Sequence, residues 1–195
     1  MKKSKLLQRG YYFGNDNIIL DKFVNNYDSY NFIKFFTGYA DVTFALDSNN
    51  NIYVCGDNKD YLLGIGDNSK PIKMFVKLSI DNVKMVSIGS NHALLLTNDG
   101  HVYASGKNNY GQLGLGSSKL GAIYYNFTKL DIDDVKYISC GNGTSYIVKN
   151  DGTFFASGLN SNGQLGLEDV VDRDVFTLVD IDNVKLVSSF YNHVF

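Results

Sequence analysis

The same run of residues is written three times along the chain: Ile52-Tyr-Val-Cys-Gly-Asp-Asn, Val102-Tyr-Ala-Ser-Gly-Lys-Asn and Phe154-Phe-Ala-Ser-Gly-Leu-Asn. The last two continue into Gly-Gln-Leu-Gly-Leu. Aligned on the glycine ahead of the following strand, the copies fall at Gly38, Gly89, Gly141 and Phe190, at intervals of 51, 52 and 49 residues. Ile80-Asp-Asn-Val-Lys84, Ile132-Asp-Asp-Val-Lys136 and Ile181-Asp-Asn-Val-Lys185 keep the same register. One period sustained at several landmarks restricts the chain to stacked units, each of which buries its apolar face only against the next.

The copy from Val83 to Leu130 shows what each unit must be. Val83-Lys-Met-Val-Ser-Ile88 alternates apolar and polar side chains as a half-buried strand does, and His92-Ala-Leu-Leu-Leu-Thr97 is an apolar run of strand length. Asn98-Asp-Gly100 has the chemistry of a tight hairpin, because glycine adopts positive φ without steric cost. Asn150-Asp-Gly152 repeats it, and Ser48-Asn-Asn50 substitutes asparagine, which also tolerates that conformation. His101 to Ser105 reads as a third strand ending at Gly106. Gly106 to Gly116 reads as a compact loop with Leu113 and Leu115 tucked beneath it. The variable stretch Ser117 to Asn126 then leads to a short outer strand at Phe127-Thr-Lys-Leu130, with equivalents at Phe75 to Leu78 and Phe176 to Val179. Four short antiparallel strands per unit predict an all-β chain of β-propeller-type blades, a partial or small propeller. A helical solenoid competes on period alone, and the glycines would break its helices throughout.

Divided at the aligned glycines, one repeat domain spans 1–195: a degenerate half repeat and connection (1–37), three repeats (38–88, 89–140, 141–189) and the start of a further repeat (190–195). A net charge of -2 and a pI near 5.8 give no broad attraction to phosphate, so no nucleic-acid partner is expected. Lys2-Lys3-Ser4-Lys5 is followed only by Leu6-Leu7, too short for a signal-peptide core or a membrane span. The expectation is no membrane partner and a cytoplasmic location, with the nucleus as second compartment. Cys55 and Cys140 stand 85 residues apart with no Cys-x-x-Cys pair, and read as half-buried strand residues.

Chemistry is sparse. Gly100 to Asn108 has the outline of a phosphate loop, with one residue too many between the glycines and asparagine where serine or threonine would hold magnesium. There is no Gly-x-Ser-x-Gly elbow, and His92, His101 and His193 stand without a local acid and nucleophile. Asp131, Asp133 and Asp134 belong to a recurring connection, which favours a link between blades over a calcium site. No catalytic residue, cofactor or metal is assigned, and the chain reads as non-enzymatic.

Gly89-Ser-Asn-His92 through Gly111-Gln112-Leu-Gly114 closely resembles the repeat of the regulator of chromosome condensation family. Gly141 to Gly166 is similar, and Gly38 to Gly66 is a weaker copy with Tyr61-Leu-Leu-Gly64 in place of Gly-Gln-Leu-Gly. The resemblance covers three repeats with flanking half repeats and implies propeller blades, in a family that usually builds seven. Where family repeats commonly carry tryptophan this chain has Phe13, Cys55, Ser105 and Ser157, and the family's frequent histidine appears as His92 and His193 but becomes Asp41 and Thr144. Tyr11-Tyr-Phe-Gly14-Asn resembles the back half of a repeat and Val184 to Phe195 the front half of the next. The two could pair into one composite blade, with residues 15–37 as connection and outer strand.

On this reading Gly38, Gly89, Gly141, Gly56, Gly106, Gly158, Gly111, Gln112, Gly114, Gly163, Gln164 and Gly166 are repeat-structural, as is His92, which hydrogen-bonds a neighbouring blade. Residues needed in every copy cannot distinguish partners, so function is expected in the diverse segments Asp67 to Met74, Ser117 to Asn126 and the acidic Glu168 to Asp174. Tyr124 and Tyr125, read as part of the variable loop, and Glu168 and Asp169 are the candidate partner contacts. The expected function is a scaffold for protein–protein interaction, whose open blade edges also allow self-association. The resemblance implies an alternative, a guanine-nucleotide exchange factor acting on a small GTPase, which needs neither covalent chemistry nor a cofactor.

Overall fold

A computed structural model describes residues 31–38, 41–67, 69–116, 119–191 and 193–195, so the half repeat at Tyr11 to Gly14, with Phe13, lies outside the described residues. Three four-stranded antiparallel sheets follow one another. The first holds β1 (Phe32–Thr37), β2 (Val42–Asp47), β3 (Ile52–Gly56) and β4 (Ile72–Lys77). The second holds β5 (Val83–Ile88), β6 (His92–Thr97), β7 (Val102–Lys107) and β8 (Ile123–Lys129), and the third β9 (Val135–Cys140), β10 (Thr144–Lys149), β11 (Phe154–Gly158) and β12 (Arg173–Val179). β13 (Ser189–Phe190) and β14 (His193–Val194) form a separate two-stranded ladder after them. Strands within each sheet keep sequence order, which makes each sheet a propeller-type blade. The hairpins turn where expected, with Gly100, Gly152 and Asn50 at φ of 85°, 88° and 61°.

Two readings of the sequence are corrected. Residues 32–37 are neither connection nor outer strand: β1 pairs with β2 from Phe32↔Asp47 to Thr37↔Thr43 and is the first strand of its blade. Its aromatic run hides the role, because Phe36 packs into the core while the Phe32 ring meets Tyr53 and Phe75 edge-on at 5.2 and 4.8 Å. The divisions at 38, 89 and 141 therefore fall between the first and second strands of each sheet. Tyr124 and Tyr125 are not in a loop: both belong to β8, with Tyr124 opposite Gly106. Each outer strand starts earlier than its pattern shows because each carries the same bulge. The pairs Val54↔Val76 and Gly56↔Ile72, Ala104↔Thr128 and Gly106↔Tyr124, and Ala156↔Thr177 and Gly158↔Arg173 all enclose two extra residues on the outer strand. A bulge breaks the alternation by which a strand is recognised.

The core lies in the seams between blades. Ala93 and Leu95 of β6 join Phe44, Val54 and Leu63 of the first blade, while Leu94 and Leu96 join Ile138 and Ile147 of the third. Successive side chains point to opposite faces of a strand, and here both faces are covered, so β6 is buried throughout and reads as an unbroken apolar run.

Candidate functional site

The connections between third and fourth strands carry the densest polar chemistry. Each opens on an asparagine two residues after the strand-ending glycine, Asn58, Asn108 or Asn160, and all three are fully buried. Their Oδ1 atoms accept from the backbone N–H of Leu63 (3.1 Å), Leu113 (2.9 Å) and Leu165 (2.9 Å), which folds each loop over its leucine. Asn108 Nδ2 also donates to Lys119 O at 3.0 Å, and Asn160 Nδ2 to Asp169 O at 2.9 Å. The fixed offset of these asparagines was the available signal in the sequence. Gln112 and Gln164 accept from Tyr110 N and Asn162 N, each at 2.9 Å. Gln112 Nε2 donates to Asn91 Oδ1 at 3.1 Å; Gln164 Nε2 has no partner among the described residues, Gly143 standing where Asn91 does.

Each loop then lies on the outer strand of the following blade. A Cβ on Gly64 would stand 2.3 Å from the Phe127 ring and one on Gly114 2.4 Å from that of Phe176. Gly66 N donates to Tyr125 O at 2.9 Å and Gly116 N to Asp174 O at 2.8 Å, with single bridges Ile65↔Asn126 and Leu115↔Val175. The bulges of β8 and β12 thus present backbone carbonyls to the preceding blade. Tyr61 replaces the glycine found at Gly111 and Gly163, takes φ of 60°, and meets Tyr125 edge-on at 4.6 Å. Over the third loop, from Gly163 to Gly166, no other blade lies among the described residues; a Cβ on Gly166 would meet only Val179, at 3.6 Å.

Further polar groups cross the seams nearer the first strands. His92 is buried and its Nε2 lies 2.9 Å from Ser145 Oγ of the next blade, while Nδ1 has no hydrogen-bond partner among the described residues. Burial pushes its pKa down to about 4, the Thr144 backbone opposing. Cys140 N donates to Ser87 Oγ at 2.8 Å, and Ser189 N to Ser139 Oγ at 3.0 Å. Ser105 and Ser157, standing where the family carries tryptophan, donate to Leu62 O (2.9 Å) and Gln112 O (3.4 Å) of the preceding blade's loop. Gly38, Gly89 and Gly141 lie at the turns between first and second strands, and Gly56, Gly106 and Gly158 within the last turns of the third strands. Burial pushes both thiols, Cys55 and Cys140, up to about 12. Native protein is therefore expected to react with a thiol reagent at neutral pH far more slowly than denatured protein, at both cysteines; fast labelling of either in native buffer would contradict the buried seams.

The candidate partner contacts are spread over two blades. Tyr125 is on β8 of the second, 40% exposed. Glu168 and Asp169 are on the third; the Asp169 carboxylate pairs with Arg173, which holds its pKa below the usual range, and accepts from Val171 N at 2.9 Å. At the opposite end of the blades, His101 lies between Asp99 (3.1 Å) and Asp133 (3.4 Å), tying a hairpin to the next connection. Among the described residues no group of three His, Cys, Asp or Glu side chains is placed to hold a metal ion.

Residues 83–112 and 135–164 match one family model, and 99–148 another, both of the regulator of chromosome condensation (RCC1) repeat. Over residues 83–164 the chain thus matches the regulator of chromosome condensation repeat. The chain is 38% identical over 130 residues to mouse X-linked retinitis pigmentosa GTPase regulator, covering 65% of this chain and 13% of that protein. It is 36% identical over 128 residues to the human probable E3 ubiquitin-protein ligase HERC6, covering 62% of this chain and 12% of that protein. The chain thus spans a small part of the length of these relatives. Among solved structures, yeast Prp20p aligns with a TM-score of 0.74 at 20% identity, over 83% of this chain and 42% of that one. Human WBSCR16 aligns with a TM-score of 0.71 at 21% identity, over 85% and 44%. The blades of this chain therefore share the propeller fold of those proteins.

Proposed function

We propose that the chain is a protein-interaction module whose partner-facing surface is the blade end that carries the β3–β4, β7–β8 and β11–β12 connections. One observation carries this reading. The asparagines common to the three copies are occupied in folding their own loops, while the connections they open differ in sequence from blade to blade and carry exposed apolar side chains. Tyr110, Leu120, Tyr125, Val170 and Val171 are 40 to 63% exposed there. Exposed aromatic and apolar side chains with an acidic fringe, here Glu168 and Asp174, suit a protein partner better than a small metabolite. The RCC1 relatives agree in kind: Prp20p is described for its binding to Gsp1p and histones. Transplanting the three connections onto an RCC1 blade array with a different partner is expected to transfer binding; a transplant that folds and binds nothing new would refute the assignment.

The named GTPase regulator among the relatives supports a second, narrower reading, nucleotide exchange on a small GTPase. Release of labelled GDP from a panel of small GTPases, with and without the chain, separates the two. Accelerated release supports exchange; binding without release leaves the interaction module alone.

A further inference from the structure

The seam between the first and second blades is filled at one end and open at the other. At the filled end Gly66 N donates to Tyr125 O and Ile65 bridges Asn126, so the β3–β4 connection covers the bulge of β8. Past that contact an open groove of about 360 Å³ runs between the stretch from Val76 to Ile80 on one wall and Asn126 and Phe127 on the other. Ile65, Ile80 and Phe127 are partly buried against the first core, and Val76 is 41% exposed. An apolar groove open along its length suits a chain laid in it better than an enclosed small molecule.

The strand register fixes what faces the groove. Val76 stands opposite Val54, a member of the first core, so its side chain turns toward the second blade. Lys129 stands opposite Tyr103, which packs on that same core, so the exposed lysine turns toward the first blade. Both rims also carry outward-facing backbone. Leu78 N donates to Ile52 O and Leu130 N to Val102 O, each at 2.9 Å, so the N–H and C=O of Lys77 and Lys129 point away from their own sheets. The groove lining holds Lys77 and no carboxylate, Asp81 following Ile80 outside it. Among the described residues neither Lys77 nor Lys129 belongs to an ion pair. At the seam between the second and third blades, Thr128 replaces Val76, Asp131 replaces Ser79 and Leu178 replaces Lys129. An apolar wall facing a lysine, with no acid between them, is therefore a property of the first seam and not of the repeat.

We propose that this groove takes an extended, acidic segment of a partner protein. The segment adds a strand along the β4 edge at Lys77, places an apolar side chain between Val76 and Phe127, and sets its acidic neighbours at Lys77 and Lys129. The inference does not rest on the partner reading above. Transplanting the three connections moves neither Val76 nor Lys129, so each proposal can fail alone.

The test selects a random library of short linear peptides, displayed on phage, on the 195-residue chain. Enriched peptides are expected to carry an apolar residue with aspartate or glutamate beside it. A labelled peptide of the enriched sequence should bind the Lys129→Glu and Val76→Asp chains about ten-fold more weakly or worse. It should bind Leu178→Glu, changed at the position equivalent to Lys129, as it binds the parent. All three side chains are exposed, and unchanged circular dichroism shows that the variants fold. Methylating alternate backbone nitrogens of the peptide should also abolish binding, because the added strand needs its N–H groups. No enrichment over a control protein, enriched peptides without acidic residues, equal affinity for Lys129→Glu and the parent, or full binding by the methylated peptide would each overturn the proposal.

Discussion

Gly106→Ala is expected to lower the unfolding free energy by roughly 3 kcal/mol or more, read from urea midpoints by circular dichroism. Gly106 has φ of 100°, and a Cβ there would stand 2.5 Å from Asn91 O and 2.8 Å from His92 Cα. Both neighbours are backbone, so relief requires moving the β5–β6 turn, which carries Asn91 and the start of the His92 seam. Gly116→Ala is the control: its φ of 90° is similarly unfavourable, but a Cβ there meets nothing within 4 Å. It should cost only about 1–2 kcal/mol of backbone strain. Equal losses in the two variants would show that the close approach at Gly106 contributes nothing.

The second large effect is a dependence on pH. His92 titrates near 4 in the folded chain and near 6.5 when unfolded. Between those values the unfolded chain holds a proton that the folded chain does not, so stability is highest above pH 6.5 and falls as pH is lowered toward 4. The full loss is roughly 3 kcal/mol. His92→Thr should flatten the slope between about pH 6.5 and 4.5, because Thr144 fills the equivalent position in the third blade without a titrating group. His101→Asn, a change at a half-buried side chain beside Asp99, should leave the His92 slope in place. A slope unchanged in His92→Thr would remove the buried imidazole as its origin.

These two residues also show how legible the chain is. Gly106 recurs in every copy, as Gly56 and Gly158, so its structural importance can be read from recurrence; His92 stands at a repeat position that Asp41 and Thr144 fill elsewhere. Their neighbours cannot be read from recurrence: Asn91 and Ser145 approach them from other strands and other blades. Asn108 recurs as plainly as Gly106, yet its role as the pivot of a loop appears only when its carbonyl oxygen is seen beneath the Leu113 N–H. Tyr125 was legible as an exposed aromatic but misplaced, because the bulge in β8 interrupts the alternation that marks a strand. β1 was obscured for a related reason: its aromatic residues serve ring contacts as well as the core, and carry no clean period of two.

By itself the sequence determined the unit: four short strands, a glycine or asparagine at each hairpin, and a loop of fixed composition after the third strand. These are local properties, set by φ preferences and by apolar periodicity within about 50 residues. Only the tertiary structure decided how one unit meets the next: which carbonyls the Gly66 and Gly116 N–H groups capture, and which rings cover Gly64 and Gly114. Those contacts join residues far apart in the chain, and the backbone atoms that make them are the same in every residue, so no side-chain pattern announces them.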